Sequence, residues 1–153
     1  MKYITPNTTE QFNDAIALFQ EYANSLNISL AFQNFEEELN IINSMYGSPT
    51  GCLLLVYHNE LPIACAAYRK IGEDICELKR MYIKPDFRRK GVGQEIMNIL
   101  CTRAKLNGYR LIRLDTLDTM IPAIKLYSKN GFYNIEAYCF NPNKGVVYME
   151  KLL

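Results

Sequence analysis

Histidine is almost missing from this chain: His58 is the only one. A catalytic triad built on histidine is therefore not expected. The five cysteines, Cys52, Cys65, Cys76, Cys101 and Cys139, include no CxxC pair. With a single histidine they offer no zinc-ligand spacing, so no metal is expected. Their number is odd and they sit in apolar segments, which reads as reduced, buried thiols in a cytoplasmic protein. A charge excess is missing too: 17 Lys and Arg against 16 Asp and Glu leave a net +1. No global field then draws the protein to nucleic acid or to an anionic membrane. No apolar run approaches the roughly 20 residues that a membrane span needs. The start, Met1-Lys2-Tyr3-Ile4-Thr5-Pro6, is too polar for a secretory leader. Repeats, low-complexity tracts and linkers are absent.

What is present suits one globular domain over residues 1–153, with 49% hydrophobic and 22% charged residues. A chain of this length buries roughly two-thirds of its unfolded surface, enough for a real core. Lys2–Thr5 reads as a short strand. Thr8 and Gln11 form a capping box ahead of Phe12, Ala15, Ile16, Phe19, Tyr22 and Leu26, which recur at helical spacing. A second helix is predicted from Asn34. Glu36, Glu37 and Glu38 fill its first turn as a solvated acidic start that suits the helix dipole. Three strands follow, Gly51–His58, Leu61–Tyr68 and Ile75–Lys84, as an antiparallel meander ended by Pro85. Val92, Ile96, Ile99, Leu100 and Ala104 mark an amphipathic helix over Gly91–Asn107. Leu111–Thr116 is a strand, Pro122–Asn130 a helix, and Tyr133–Phe140 and Val146–Leu152 two last strands.

The order is βααβββαβαββ. The passage from Ile75 to Thr116 predicts two parallel strands joined by a right-handed helical crossover. The expected fold class is α/β: a mixed, mostly antiparallel central sheet with helices on both faces.

The most informative segment is Arg88-Arg89-Lys90-Gly91-Val92-Gly93-Gln94, between a strand and a helix. Its glycines let the backbone turn sharply and approach a ligand. The free N–H groups of the first helical turn and three cationic side chains converge there, a device for pyrophosphate. It is not a Walker loop, which needs GxxxxGK followed by Ser or Thr. It is not a Rossmann fingerprint, because Ile96 stands where the third glycine belongs. A nucleic-acid patch would need a wider basic surface with interleaved aromatics.

Arg88-x-x-Gly91-x-Gly93 resembles the coenzyme-binding signature of the GNAT superfamily of N-acetyltransferases. Glu77–Pro85 is similar to that family's fourth strand. Ala123-Ile124-Lys125-Leu126-Tyr127-Ser128-Lys129-Asn130-Gly131-Phe132 is similar to its A-x-x-L-Y-x-x-x-G-F segment. The element order matches from Lys2 to Leu152. The resemblance implies the GNAT fold and acetyl-CoA as acyl donor, with coenzyme A contacts at Met81, Tyr82 and Ile83 of the fourth strand. It assigns the pyrophosphate to Arg88, Arg89, Lys90, Gly91, Val92, Gly93 and Gln94. Many members carry an asparagine where this chain has Met120, so that pantetheine contact is not carried over. Members of the family often dimerise.

Aminolysis of a thioester needs a neutral amine, a stabilised oxyanion and a protonated or tolerated leaving thiolate. Only about 0.1% of an alkyl amine is neutral near pH 7.4, so a base helps. Glu77 is the candidate base, a position where some members of the resembling family place a catalytic glutamate. Strict alternation puts it on the face of Met81, and its structural alternative is an ion pair with Lys79 or another cation. Tyr127, which matches the family's motif tyrosine, is the candidate acid; the Met81 N–H is the candidate oxyanion donor. Cys76 points away from Glu77 by alternation, so direct transfer is preferred over a covalent acyl-enzyme.

In the resembling fold the acceptor pocket lies between the first two helices and the last inter-strand loop. Here those segments include Phe32, Phe35, Tyr138 and Asn141, with Lys79 and Arg80 placed to meet an anionic group. The expected partner is a small-molecule amine, amino-acid-like. Two other readings stay open: an acyl-CoA-sensing module without turnover, and an acetyltransferase for protein lysines or N-termini.

Overall fold

The capping box at the first helix forms one residue off the expected pairing. Thr8 Oγ1 accepts from the Gln11 N–H at 3.2 Å, and Gln11 Oε1 reaches back to the Asn7 N–H at 2.9 Å. The computed structural model describes residues 1–153. Its elements are β1 (Lys2–Ile4), α1 (Thr9–Ser25), α2 (Phe35–Asn40), α3 (Ile42–Met45), β2 (Cys52–His58), β3 (Leu61–Lys70) and β4 (Ile75–Ile83). They continue with α4 (Val92–Leu106), β5 (Leu111–Leu117), α5 (Ile121–Lys129), β6 (Tyr133–Ile135) and β7 (Val146–Leu152). One sheet carries all seven strands in the order β1-β2-β3-β4-β5-β7-β6. Only β4 and β5 run parallel; every other neighbour is antiparallel.

Helices cover both faces, so β2 and β3 are buried on both sides and read as near-continuous apolar runs. On one face α4 lays Val92, Ile96, Met97 and Leu100 against Leu54, Ala66, Cys76 and Leu78. On the other, α1 and α3 bring Ala15, Leu18, Phe19 and Ile42 onto Leu53, Leu55, Cys65 and Tyr82. No helix is long and apolar enough to cross a membrane.

Three expectations are corrected. First, the last hairpin is shorter than read. β6 stops at Ile135 rather than Phe140, because Tyr138 turns its hydroxyl onto Glu77 Oε2 at 2.8 Å and Asn141 binds Asp115 and Asn143. Second, the glutamate run at α2 is not solvated throughout. Glu38 is buried, accepting from Arg80 Nε at 2.9 Å, Arg80 Nη2 at 2.6 Å and the Tyr46 hydroxyl at 2.6 Å. Third, β4 does not alternate strictly.

The break in alternation sits at Arg80, whose φ of +56° is left-handed, a conformation that costs an ordinary residue about 1–2 kcal/mol. The β3–β4 register shifts between Cys65 and Ala67, the mark of a β-bulge. Residues before the bulge keep Glu77 and Lys79 on the α2 face. After it, Met81 and Ile83 turn under α4, whereas Tyr82 packs with α1. Glu77 and Met81 therefore lie on opposite faces, not on one.

Removing the charge of Glu38 leaves the Arg80 guanidinium buried without a counter-charge, which costs about 3–5 kcal/mol. Chemical denaturation of Glu38→Gln should show a loss of that size. Burial acts to raise the Glu38 pKa, but hydrogen bonds and charge from Arg80, with Tyr46, hold it below the ordinary 4.5. A depressed carboxyl contributes stability above its unfolded pKa and loses it as pH falls through the folded one. Wild-type stability should thus fall more steeply below pH 4.5 than that of E38Q.

Candidate active site

The parallel pairing of β4 with β5 lasts three residues, Ile75↔Leu111, Cys76↔Ile112 and Glu77↔Arg113, and then the strands part. The bulge at Arg80 follows at once, and bulged strands bend. Beyond it the Lys84 N–H donates to the Ile63 carbonyl of β3 at 2.9 Å. Alternation from that bond turns Tyr82 toward β3 and sends the N–H groups of Ile83 and Met81 into the gap. The Ile83 carbonyl accepts from Arg88 Nε at 2.9 Å.

The loop after β4 is shaped by two left-handed residues, Arg89 at φ +60° and Gly91 at φ +81°. Gly91 precedes α4 and faces open space. Glu95 is the first residue of α4 whose N–H finds a helical carbonyl, that of Gly91 at 3.1 Å. The amides of Val92, Gly93 and Gln94 are left for a ligand, as at any uncapped helix start. Arg88 lies over Tyr82 and Lys90 over Phe87, with ring distances of 5.9 and 5.3 Å. Gln94 is tied instead to Asn130 at the end of α5, at 2.7 Å. A β-carbon on Gly93 would meet Leu126 at 3.0 Å, Ile83 at 3.4 Å and Met81 at 3.6 Å, so the residue here must be small for α4 to pack this close to β4 and α5.

A cavity runs through the gap between the strands. From the α4 face it is lined by Leu78, Met81, Leu114, Met120, Ala123 and Tyr127; from the α1–α2 face by Tyr22, Phe32, Gln33, Lys79, Asp115 and Asn141. A second hollow shares Phe32, Gln33, Lys79 and Asp115 and adds Arg69, Glu77, Cys139 and Phe140. Tyr127 is 7% exposed, its ring 5.7 Å from that of Phe132. No fully buried polar side-chain atom lacks a partner, and none is assigned to the Tyr127 hydroxyl, so that hydroxyl opens to the cavity. Burial, then the charge effects of Tyr22 and Asp115, push its pKa well above 10.0.

Glu77 is 3% exposed and heavily engaged. It accepts from Arg69 Nε at 3.1 Å and from the Tyr138 hydroxyl at 2.8 Å, with Lys79 Nζ at 3.7 Å. Its carboxylate, that of Asp115 and the Cys139 thiol lie within 4.8 Å of one another. Burial, then Asp115 and Glu77, push the Cys139 thiol up to about 11.

Residues 13–132 match the family model of the GNAT acetyltransferases. An uncharacterized N-acetyltransferase of Schizosaccharomyces pombe is 34% identical over 142 residues, covering 92% of this chain and 87% of its own. The chain belongs to the GNAT family of N-acetyltransferases. The fold agrees. An acetyltransferase of the GNAT family from Staphylococcus aureus Mu50 superposes with a TM-score of 0.83 at 18% identity, covering 99% of this chain and 98% of that one. The PaiA N-acetyltransferase of Thermoplasma acidophilum, solved in complex with coenzyme A, superposes with a TM-score of 0.74 at 18% identity over the full length of both.

Within this GNAT fold, Tyr127, Met81, Phe32, Lys79 and Asn141 share the through-going cavity, with Glu77 in the hollow beside it. One expected substrate contact is corrected: Phe35 lines neither space and packs against the Arg80 guanidinium at 5.1 Å. Arg80 borders the cavity, but it is 5% exposed and its guanidinium is bonded to Glu38. The expected coenzyme contact at Tyr82 is not on the gap: its ring lies on the α1 face and its backbone turns to β3. Sequence reasoning missed Asp115, Tyr22, Arg69 and Cys139. The signal for Asp115 was a carboxylate within the apolar strand Leu111–Thr116, which is costly unless it is partnered or used.

The narrow space at Gly93 gives a direct check. Gly93→Val should force α4 and α5 away from β4 and cost about 1–3 kcal/mol, read as a lowered denaturation midpoint.

Proposed function

We propose that the protein transfers the acetyl group of acetyl-CoA to a primary amine of a small molecule, by direct attack with both substrates bound. The observation that carries this reading is the cavity through the β4–β5 gap. It brings Tyr127 and Asp115 onto the walls of one space with Glu77 in the hollow beside it, and Met81 on its wall lies against Gly93 of the uncapped, cationic helix start. The residues present fit coenzyme A. The Val92, Gly93 and Gln94 amides with Arg88, Arg89 and Lys90 would hold a pyrophosphate, and the Met81 and Ile83 backbone would hold the pantetheine arm. When bound, acetyl-CoA supplies an acetyl thioester.

The remaining chemistry belongs to the chain. The Met81 N–H, turned toward the gap by the alternation beyond the bulge, would donate to the acetyl oxygen as negative charge develops there. Tyr127 donates its hydroxyl proton to the departing sulfur, and its raised pKa keeps that proton in place through neutral pH. The amine nitrogen enters from the acceptor side, and its proton leaves toward Glu77 and Asp115. A thiol held near 11 is a poor nucleophile at neutral pH, so Cys139 supports direct transfer over an acyl-enzyme. All five cysteines are free, which supports a reducing, cytoplasmic setting.

Two measurements test this. Acetyl-CoA at a hundred times its Kd should add about 2.7 kcal/mol of stability, which raises Tm by roughly 5–11 °C for a chain of this size. Tyr127→Phe should keep that shift and lower kcat about 100-fold. A full-strength Tm shift with no thiol release on any amine would favour an acyl-CoA sensor. Activity confined to peptides would favour a protein acetyltransferase. Unchanged kcat in Y127F would remove Tyr127 from the chemistry. The raised tyrosine pKa also predicts no loss of kcat from Tyr127 ionisation below pH 10.

A further inference from the structure

Asp115 is the one anion of the through-going cavity without a counter-charge. It stands on β5 past the last pair with β4, where it borders both the cavity and the acceptor hollow. Its contacts are Asn141 Nδ2 at 3.0 Å and the Cys139 thiol at 3.8 Å. No cation approaches it within 4.0 Å, although six ion pairs form elsewhere. Glu77, by contrast, is satisfied by Arg69 and the Tyr138 hydroxyl.

Across the gap stands a cation with the complementary deficit. The Lys79 side chain is 8% exposed and borders the same two spaces. Its nearest anion is Glu77 at 3.7 Å, which Arg69 already holds at 3.1 Å; its other partner is the neutral Gln33 amide at 3.4 Å. Glu77 lies between the two unmatched groups, within 4.8 Å of Asp115. The acceptor space thus presents an unmatched negative end on β5 and an under-matched positive end on β4. Asp115 is half-buried and the Lys79 side chain is 8% exposed, so each charge has lost part of its water; charge desolvated without a partner is costly, and a ligand carrying both signs relieves both ends together. The rings of Phe32 and Phe140, 6.4 Å apart, edge the same hollow and suit an apolar substituent.

We propose that the acceptor is a zwitterionic α-amino acid with an apolar side chain, its ammonium received by Asp115 and its carboxylate by Lys79. The proposal rests on the acetyl-transfer reading and names the substrate class of that site. Asp115 then both receives the ammonium and, with Glu77, takes up the proton that the nitrogen sheds before attack, and Lys79 determines specificity.

The test uses the full chain and matched acceptors: leucine and phenylalanine against isoamylamine and phenethylamine, which lack only the carboxylate. Thiol release from acetyl-CoA is followed alongside Tm with acetyl-CoA alone. We expect kcat/KM about tenfold or more higher on the amino acids, since unmade bonds to buried charge discriminate at least that well. Asp115→Asn should raise the amino-acid KM about tenfold or more while keeping the acetyl-CoA Tm shift. Lys79→Met should erase the preference over the matched amine. Equal use of amines and amino acids by the wild type, an unchanged KM in D115N, or no amino-acid turnover despite a normal Tm shift would each overturn the assignment. The wild-type comparison stands even if a variant fails to fold. Absence of any Tm shift with acetyl-CoA would instead remove the coenzyme reading, and this proposal with it.

Discussion

The buried ion pair between Glu38 and Arg80 holds the rest of the structure in its working shape. Arg80 occupies a left-handed backbone conformation in the middle of a central strand, and such a residue persists only where its surroundings over-determine it. Two short bonds from its guanidinium to Glu38, a bond from Tyr46 to the same carboxylate, and the ring of Phe35 beneath it supply that determination. The pair crosses from α2 to β4. It fixes the bulge, and the bulge turns Met81 and Ile83 under α4 where a regular strand would have sent them elsewhere.

From that constraint follows a site with two sides. On the α4 face, the close approach at Gly93 brings an uncapped helix start and three cations beside a strand edge whose amides point into a gap. On the α1–α2 face, charged groups of both signs surround a hollow. The gap between β4 and β5 connects them, and Tyr127 reaches it from α5. This geometry suits the proposed direct transfer, in which two ligands would arrive from opposite faces of one sheet and meet where its hydrogen bonding is interrupted. Preorganised donors there act in a partly desolvated space, where they are worth more than in water.

The elements themselves were legible because their signals are local. The capping residues at Thr8, the apolar stripe of α4 and the glycines at 91 and 93 each reveal their role within a few positions. The parallel pairing of β4 with β5 followed from the strand–helix–strand order. What escaped was non-local. Glu38 sits in a run of three glutamates whose composition is that of a solvated helix start, and only the fold shows which one turns inward to Arg80. The φ of Arg80 has no sequence mark, since arginine is not a residue that favours positive φ. Missing the bulge carried the error to Glu77, which strict alternation placed with Met81. Asp115 looked like an ordinary strand residue until the parting of β4 and β5 set it on a cavity wall.

On the proposed reading, the bulge leaves the Met81 and Ile83 amides unpaired at the strand edge where coenzyme A would bind. Amide-resolved hydrogen exchange of β4, with and without coenzyme A, addresses it most directly. Fast exchange is expected at Met81 and Ile83 in the free protein, beside protected Tyr82, with strong protection at both when coenzyme A is bound. Slow exchange at those amides in the free protein, or unchanged exchange at saturating coenzyme A, would contradict it.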